Sequence, residues 1–147
     1  MHIRVGGIGM KREDQIKIID DFIRAMNNHD VEKMGRLCTE GIVADEVAEA
    51  EPFRGIGAFK QAYLDVFQGY PDCVAEALET FVDGDTVISQ IRWYATNSGV
   101  FRGAEPTHKK VDLRIAYFFS LKDGKIDRIT EYYDLASILT QQGQLEL

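Results

Sequence analysis

The first half of the chain carries apolar residues at helical spacing. Over residues 12–28 they fall three or four positions apart, which predicts an amphipathic helix. Asp30 is a suitable N-cap for a second, short helix that we expect to end at Gly41. A short strand is predicted over residues 42–47 and a third helix over residues 56–67. The N-terminal half is therefore predicted to be mainly helical.

After Pro71 the apolar residues recur with a period of two. The clearest case is the segment 109–121, in which the odd positions are apolar and the even positions include Asp112 and Arg114. Short turns separate the predicted strands, so neighbouring strands must run antiparallel. The strands are predicted over residues 73–82, 86–96, 109–121 and 125–133, and a short helix over residues 135–141. This order predicts an α+β fold, with a curved antiparallel sheet wrapped around three N-terminal helices to leave a cone-like space.

Composition and charge restrict the possible partners. The 147 residues are 45% apolar, and 17 Lys and Arg stand against 24 Asp and Glu, a formal net charge of −7. This size suits one domain, which we place at residues 11–147 after a loose leader at residues 1–10. The negative charge disfavours nucleic acids and anionic membranes as partners. Since no apolar run approaches the roughly 20 residues of a membrane span and no signal peptide is recognisable, we expect a cytoplasmic protein.

Four short motifs follow one another between residues 12 and 143. They are Asn28-His29-Asp30 followed by Val31-Glu32-Lys33-Met34; Gly55 with Phe67 and Pro71-Asp72; Gly99-Val100-Phe101-Arg102-Gly103-Ala104-Glu105-Pro106-Thr107; and Phe119-Ser120-Leu121-Lys122-Asp123-Gly124-Lys125-Ile126, which leads to Tyr133-Asp134-Leu135 and Gln142-Gly143. As an ordered set they resemble the polyketide cyclase (SnoaL-like) family of the nuclear-transport-factor-2-like fold. The resemblance implies a pocket for a small hydrophobic molecule, in a fold that isomerases, dehydratases, epoxide hydrolases, cyclases and ligand-binding proteins share.

Three positions differ from the family pattern. Tyr117 stands where many members carry the Asp that is the acid/base group of the cyclases. Asn97 stands where members often carry His. In the last strand the family's His-Trp-Asp becomes Ile129-Thr130-Glu131. A carboxylate is thus retained one strand away, which makes Glu131 the candidate acid/base residue.

The register of the last hairpin decides whether Glu131 faces the pocket. With a three-residue loop at residues 122–124, Tyr117 lies opposite Ile129 and Glu131 shares its face. With a two-residue Asp-Gly loop, Tyr117 lies opposite Thr130 and Glu131 turns to the other face. We favour the first register, because it groups Glu131 with the apolar positions of its strand.

In the favoured register Glu131 is a carboxylate on a mainly apolar surface. Desolvation would raise its pKa, and a carboxylate with a raised pKa can act as a general base beside a carbonyl group. Tyr117 would donate a hydrogen bond to the developing enolate, and Asn97 would orient the substrate. Such chemistry covers enolisation, isomerisation and aldol closure, and it needs no cofactor. The two cysteines and three histidines are scattered, so no metal site is predicted.

The predicted pocket wall is aromatic and aliphatic, with an acidic residue at its mouth. The residues predicted to contact a ligand are Phe59, Tyr63, Trp93, Ile115, Ile129, Tyr133 and Asp45.

Each candidate also has a purely structural interpretation. A tyrosine in mid-strand is more often a core or pocket-wall residue than a catalytic one, an asparagine at a strand end is typical of a turn, and Glu131 could form an ion pair with Arg92, Arg114 or Arg128. Two functions other than catalysis remain open: a non-catalytic module that binds a small hydrophobic ligand, and a dimeric assembly module. In the second, the outward face of the long strand would be buried across a two-fold axis. We expect a homodimer or a higher homo-oligomer.

Overall fold

The computed structural model describes residues 9–146, so all but the last two residues of the predicted leader lie outside it. Its elements are α1 (Arg12–Asn27), α2 (Val31–Arg36), β1 (Cys38–Glu46), β2 (Phe53–Arg54), α3 (Ile56–Gly69), β3 (Val74–Asp83), β4 (Thr86–Thr96), β5 (Lys110–Lys122), β6 (Lys125–Tyr132) and α4 (Leu135–Gln141). The predicted α+β order is therefore confirmed, and every predicted helix is present.

The strands form one curved six-stranded sheet in the order β2-β1-β6-β5-β4-β3. The hairpin-connected strands β3 to β6 run antiparallel, as predicted. The exception to the antiparallel prediction is β1, which runs parallel to β6. Most of the chain separates these two strands, so no short turn forces them to be antiparallel.

The second helix is shorter than predicted. It ends at Arg36, and the strand β1 begins at Cys38, where the prediction had continued the helix to Gly41. The backbone amide of Ile126 donates to the carbonyl of Leu37 at 2.9 Å, and Cys38 is paired with Ile126. Pairing with a strand almost 90 residues away thus outweighs the local helical pattern.

The last hairpin adopts neither predicted register. Asp123 and Gly124 both have left-handed backbone angles, with φ of 52° and 77°, so they form a two-residue turn. A bulge then shifts the register between Ser120 and Leu121, which places Tyr117 directly opposite Glu131. The expectation that Glu131 lies on the same face of the sheet as Tyr117 is nevertheless correct, because residues directly opposite each other in a ladder share a face.

The helices α1 and α3 cover the inner face of the sheet. Phe22 of α1 lies against Phe119 of β5 and Phe59 of α3, with ring centroids 5.7 and 6.2 Å apart, and all three side chains are fully buried. This cluster fills the space between helices and sheet at one end. A cavity remains at the other end.

The outer face of the sheet carries an apolar row. Phe81, Ile88 and Phe118 are paired across β3, β4 and β5, and Tyr132 packs edge-on against Phe118. Phe81 and Tyr132 are each about half exposed, at 52% and 51%. The predicted homodimer and the predicted cytoplasmic location stay predictions.

Candidate functional site

A cavity of about 280 Å³ lies between the inner face of β4–β6, the helix α3 and the helix α4. Its wall is mainly apolar and, within residues 9–146, contains seven aromatic side chains. The predicted wall residues Tyr63, Trp93, Ile115 and Tyr133 all line it, as do Tyr117 and Glu131. The remaining aromatic side chains in the wall are Phe67, Tyr70 and Phe101.

Glu131 lies in the middle of the inner wall and is 9% exposed. The Tyr63 hydroxyl donates to its Oε1 at 3.4 Å, and Tyr117 is its direct neighbour on β5. Within residues 9–146 Glu131 makes none of the ion pairs considered from the sequence. Arg92 instead binds Asp112 at 2.7 Å, and Arg128 binds Asp45 at 2.9 Å.

This environment favours the neutral form of Glu131. Burial raises its pKa to about 8, and the nearby charge of Glu46 adds to the rise. Hydrogen bonds from Tyr117 and Tyr63 act in the opposite direction but do not cancel it. The pKa values of both tyrosines are raised, first by burial and then by Glu131, so their hydroxyls stay protonated as donors.

A second carboxylate lines the cavity, and it is Glu46 and not its neighbour Asp45, the residue predicted for the pocket mouth. Asp45 lies on the outer face, where it accepts from Arg128, so its predicted place at the pocket mouth is wrong. The signal for the correct residue is the two-residue period of β1, whose even positions Ile42 and Ala44 are buried. The predicted strand over residues 42–47 contains this alternation, but Glu46 was not selected because adjacent carboxylates such as Asp45 and Glu46 are typical of a solvated edge.

Arg102 stands at the mouth of the cavity, in the loop between β4 and β5. It is the one basic side chain in the wall among the described residues. Its Nη1 donates to Glu49 Oε1 at 2.7 Å, and its Nε lies 3.8 Å from Asp65 Oδ2. The guanidinium also lies over the Phe101 ring, 4.8 Å from the centroid. Arg102 is therefore already shared between two carboxylates and an aromatic ring.

Asn97 lines the wall, but its amide is fully used by the backbone. Its Nδ2 donates to the carbonyls of Gly69 and Gly99 at 3.1 and 3.2 Å. Its Oδ1 accepts from the backbone amide and the hydroxyl of Thr107 at 2.8 and 3.1 Å. No donor or acceptor of Asn97 remains to orient a substrate, so its predicted catalytic role is corrected to that of a loop anchor.

Two further predicted contacts, Phe59 and Ile129, lie outside the wall. Phe59 is buried under Tyr63 in the α3 cluster, and Ile129 lies opposite Phe119 at the filled end of the sheet. Both side chains face inward, as their spacing predicted, but at the end that the helices occupy. Periodicity identifies the face of a residue and not its distance from the cavity.

The helix α4 closes the cavity from the side away from α1. Its apolar residues Leu135, Ile138 and Leu139 belong to the wall. The Gln141 amide side chain pairs with the backbone of Asp112, accepting from its N–H at 2.7 Å and donating to its carbonyl at 3.1 Å. This contribution of α4 was not predicted, because a seven-residue helix with polar neighbours carries no sequence signal for a docking position.

A profile of the SnoaL-like polyketide cyclases matches residues 17–142. The chain therefore belongs to the SnoaL-like polyketide cyclase family. A comparison with curated proteins finds no match.

Solved structures share the fold over nearly the whole chain. A candidate SnoaL-like polyketide cyclase from Jannaschia sp. CCS1 has a TM-score of 0.83 at 19% identity and covers 95% of this chain and 100% of its own. TsrD from Streptomyces laurentii has a TM-score of 0.82 at 18% identity, with 93% and 100% covered. IdmH from Streptomyces antibioticus, a candidate polyketide cyclase, has a TM-score of 0.75 at 21% identity, with 88% and 98% covered.

No helix within residues 9–146 is long and apolar enough to span a membrane. No cluster of three or more His, Cys, Asp or Glu side chains there is arranged to bind a metal ion.

Proposed function

We propose that the protein catalyses cofactor-free acid/base chemistry on a small, hydrophobic carbonyl compound bound in the aromatic cavity. One observation carries the proposal: a buried carboxyl group, Glu131, faces the cavity between the hydroxyls of Tyr63 and Tyr117. A general base and hydrogen-bond donors on one apolar wall are what enolisation requires. Family membership supports a cyclase-related function.

The proposed step is proton removal beside the carbonyl group. Ionised Glu131 takes the proton, and the electron pair of the broken C–H bond forms a C=C bond as the carbonyl oxygen becomes an enolate. Tyr117 donates a hydrogen bond to that oxygen and keeps its own proton, since burial raises its pKa. If a C=C bond is conjugated with the enolate, return of the proton from Glu131 at the far carbon of that bond completes an isomerisation. In an aldol closure the enolate carbon attacks a second carbonyl carbon, and the proton passes from Glu131 to the alkoxide oxygen that forms there.

Binding without turnover is the second candidate function. It is supported by the same cavity, because an aromatic space of about 280 Å³ is suited to a small apolar ligand whether or not Glu131 reacts. The assembly module has less support, because a dimer surface requires no cavity and the space between helices and sheet is open at one end.

The test follows solvent deuterium entering 2-tetralone, a neutral bicyclic ketone with exchangeable protons beside its carbonyl group. We expect the wild-type protein to accelerate exchange, with a rate that rises as the pH passes about 8, where Glu131 ionises. Glu131→Gln should lower the rate by about 100-fold or more, and Tyr117→Phe by roughly 10- to 100-fold.

Two exposed residues supply matched controls, Glu79→Gln on β3 and Tyr132→Phe on the outer face of β6. Both variants should catalyse deuterium exchange into 2-tetralone at the wild-type rate. If Glu131→Gln and Tyr117→Phe also did so, the catalytic proposal would be wrong. Ketone-induced shifts of cavity signals in protein NMR spectra, without accelerated exchange, would favour the binding module.

A further inference from the structure

Glu46 and Glu131 are direct neighbours across two strands. The parallel pairing of β1 and β6 places their Cα atoms opposite each other, and both side chains line the cavity. The backbone amide of Val47 donates to the carbonyl of Glu131 at 3.1 Å, which fixes this alignment just beyond the pair. Since adjacent strands lie about 4.8 Å apart, the two carboxyl groups project side by side from one wall.

The neighbourhood of the pair contains little positive charge. Glu131 faces Tyr117 from β5 and Tyr63 from α3, and both are neutral donors. Glu46 faces Arg102 and Glu49 from the loops at the cavity mouth, with Tyr133 following on the end of β6. Arg102 binds Glu49 and lies near Asp65, so its charge is divided. The cavity wall also includes Glu105.

Two carboxylates at this separation in a buried wall cannot both be ionised without a large electrostatic cost. Burial raises the pKa of Glu46 as well, but the charge of Arg102 acts against that rise, whereas Glu131 is 9% exposed and has tyrosine hydroxyls as its neighbours. The position of Arg102 therefore favours the negative charge on Glu46 and the proton on Glu131.

We propose that Glu46 is a positioning residue that holds the proton on Glu131 and thereby sets the pH range in which Glu131 acts as a base. The inference rests on the proposed function for its catalytic meaning, but the sharing of one proton between the two side chains does not. Glu46 acts by its charge, through Glu131, and no contact with the substrate is required of it.

The direct test is ¹³C NMR titration of the full-length protein carrying glutamate labelled at the side-chain carboxyl carbon. Glu131→Gln and Glu46→Gln assign the two signals. In the wild-type protein we expect Glu46 to ionise at lower pH than Glu131. In Glu46→Gln the midpoint of Glu131 should fall by about one pH unit or more, because the repelling charge is gone.

The pH profile of 2-tetralone exchange supplies the catalytic readout. Glu46→Gln should shift the rising limb toward lower pH by the same amount and raise the rate at pH 7 several-fold, since more Glu131 is ionised there. Glu46→Asp keeps the charge and should leave the profile close to wild type. Asp45→Asn, one residue away on the outer face, is the control and should change neither readout.

An unchanged Glu131 midpoint in Glu46→Gln would overturn the inference, as would a wild-type titration in which Glu131 ionises in the ordinary glutamate range. The second criterion needs only the assignment by Glu131→Gln and holds even if Glu46→Gln fails to fold. A shifted midpoint in a protein that catalyses no exchange would keep the inference and remove the proposed function. Exchange that depends on Glu131, together with an unchanged Glu131 midpoint in Glu46→Gln, would keep the proposed function and overturn the inference.

Discussion

Glu131 and Asn97 are both buried polar residues in the wall of one cavity, yet their surroundings differ. Asn97 has four hydrogen-bond contacts, to the end of α3 and to the loop between β4 and β5. Glu131 has tyrosine hydroxyls on one side and a second carboxylate on the other. Burial is similar at the two positions, at 4% and 9% exposure. What separates an anchor from a reactive group is therefore whether its polar atoms are already satisfied.

The two residues also affect the stability of the fold in opposite directions. A satisfied amide such as that of Asn97 stabilises the fold, because its partners would otherwise be buried without hydrogen bonds. A carboxyl group such as that of Glu131 costs stability whenever it ionises, because the charge is desolvated. The same wall thus contains one group that the fold needs and one that the fold tolerates in its neutral form.

The largest expected effect is on the pH dependence of stability. The pKa of Glu131 is raised in the folded protein, so folding retains a proton that the unfolded chain loses above about pH 4.5. The free energy of unfolding should therefore fall as the pH rises from about 4.5 to about 8, by an amount on the order of several kcal/mol. Urea unfolding at pH 5, 7 and 9 measures this decline, and Glu131→Gln should remove most of it.

Glu79→Gln is the control for this experiment, because Glu79 is exposed on β3. Its unfolding should keep the wild-type pH dependence. A Glu131→Gln protein that still lost the same stability between pH 5 and pH 9 would show that Glu131 is not the group responsible.

The second effect is expected at Asn97. Replacement by Ala leaves Gly69, Gly99 and Thr107 without their buried partner, so Asn97→Ala should lower the free energy of unfolding by about 2–3 kcal/mol. The loss should be equal at pH 5 and pH 9, because an amide does not titrate. Hydrogen exchange at the Thr107 amide should accelerate in the folded variant.

Asn28→Ala provides the comparison, since Asn28 is exposed after α1, and its unfolding should change little. Deuterium incorporation into 2-tetralone by folded Asn97→Ala should stay within a few-fold of wild type. A rate loss as large as that of Glu131→Gln, in a protein that remains folded, would return Asn97 to the catalytic group.

The smallest effect is expected at Asp45, which binds Arg128 on the outer face at 2.9 Å. Both partners are partly exposed to solvent, and such ion pairs contribute less than about 1 kcal/mol. Asp45→Asn should therefore change urea unfolding only slightly, and 0.5 M salt should remove the difference. A loss of several kcal/mol in the free energy of unfolding would contradict the description of Asp45 as a partly exposed ion-pair partner on the outer face.

Local patterns predicted much of this molecule correctly. The bounds of β4 and α4 match the prediction, and the long alternation of β5 placed Tyr117 on the inner face. The placement of Glu131 on that face was also right, although the turn argument behind it was not. The bulge in β6 at residue 127, opposite the step from Ser120 to Leu121, was not predicted, because it depends on how β6 fits between β1 and β5.

The site was predicted less completely than the fold. Glu46 was overlooked because a carboxylate in an acidic stretch is ordinarily exposed, and only the parallel pairing of β1 with β6 brings it beside Glu131. The role of Asn97 depends on the end of α3 at Gly69, 28 residues away, and on the fold of its own loop at Thr107, ten residues away. Neither relation leaves a periodic signal, since both join segments that only the folded chain brings together.

The α+β class, the apolar faces of the strands and the presence of a carboxylate in β6 can all be predicted without a structure. They follow from residue type and from the periods of 3.6 residues in helices and two residues in strands. The tertiary structure alone decided that Glu131 has Glu46 beside it and tyrosines around it, and that Asn97 is an anchor. Strand order, bulges and loop contacts set these distances, and the desolvation and charge coupling that would make a carboxyl group reactive depend on distance.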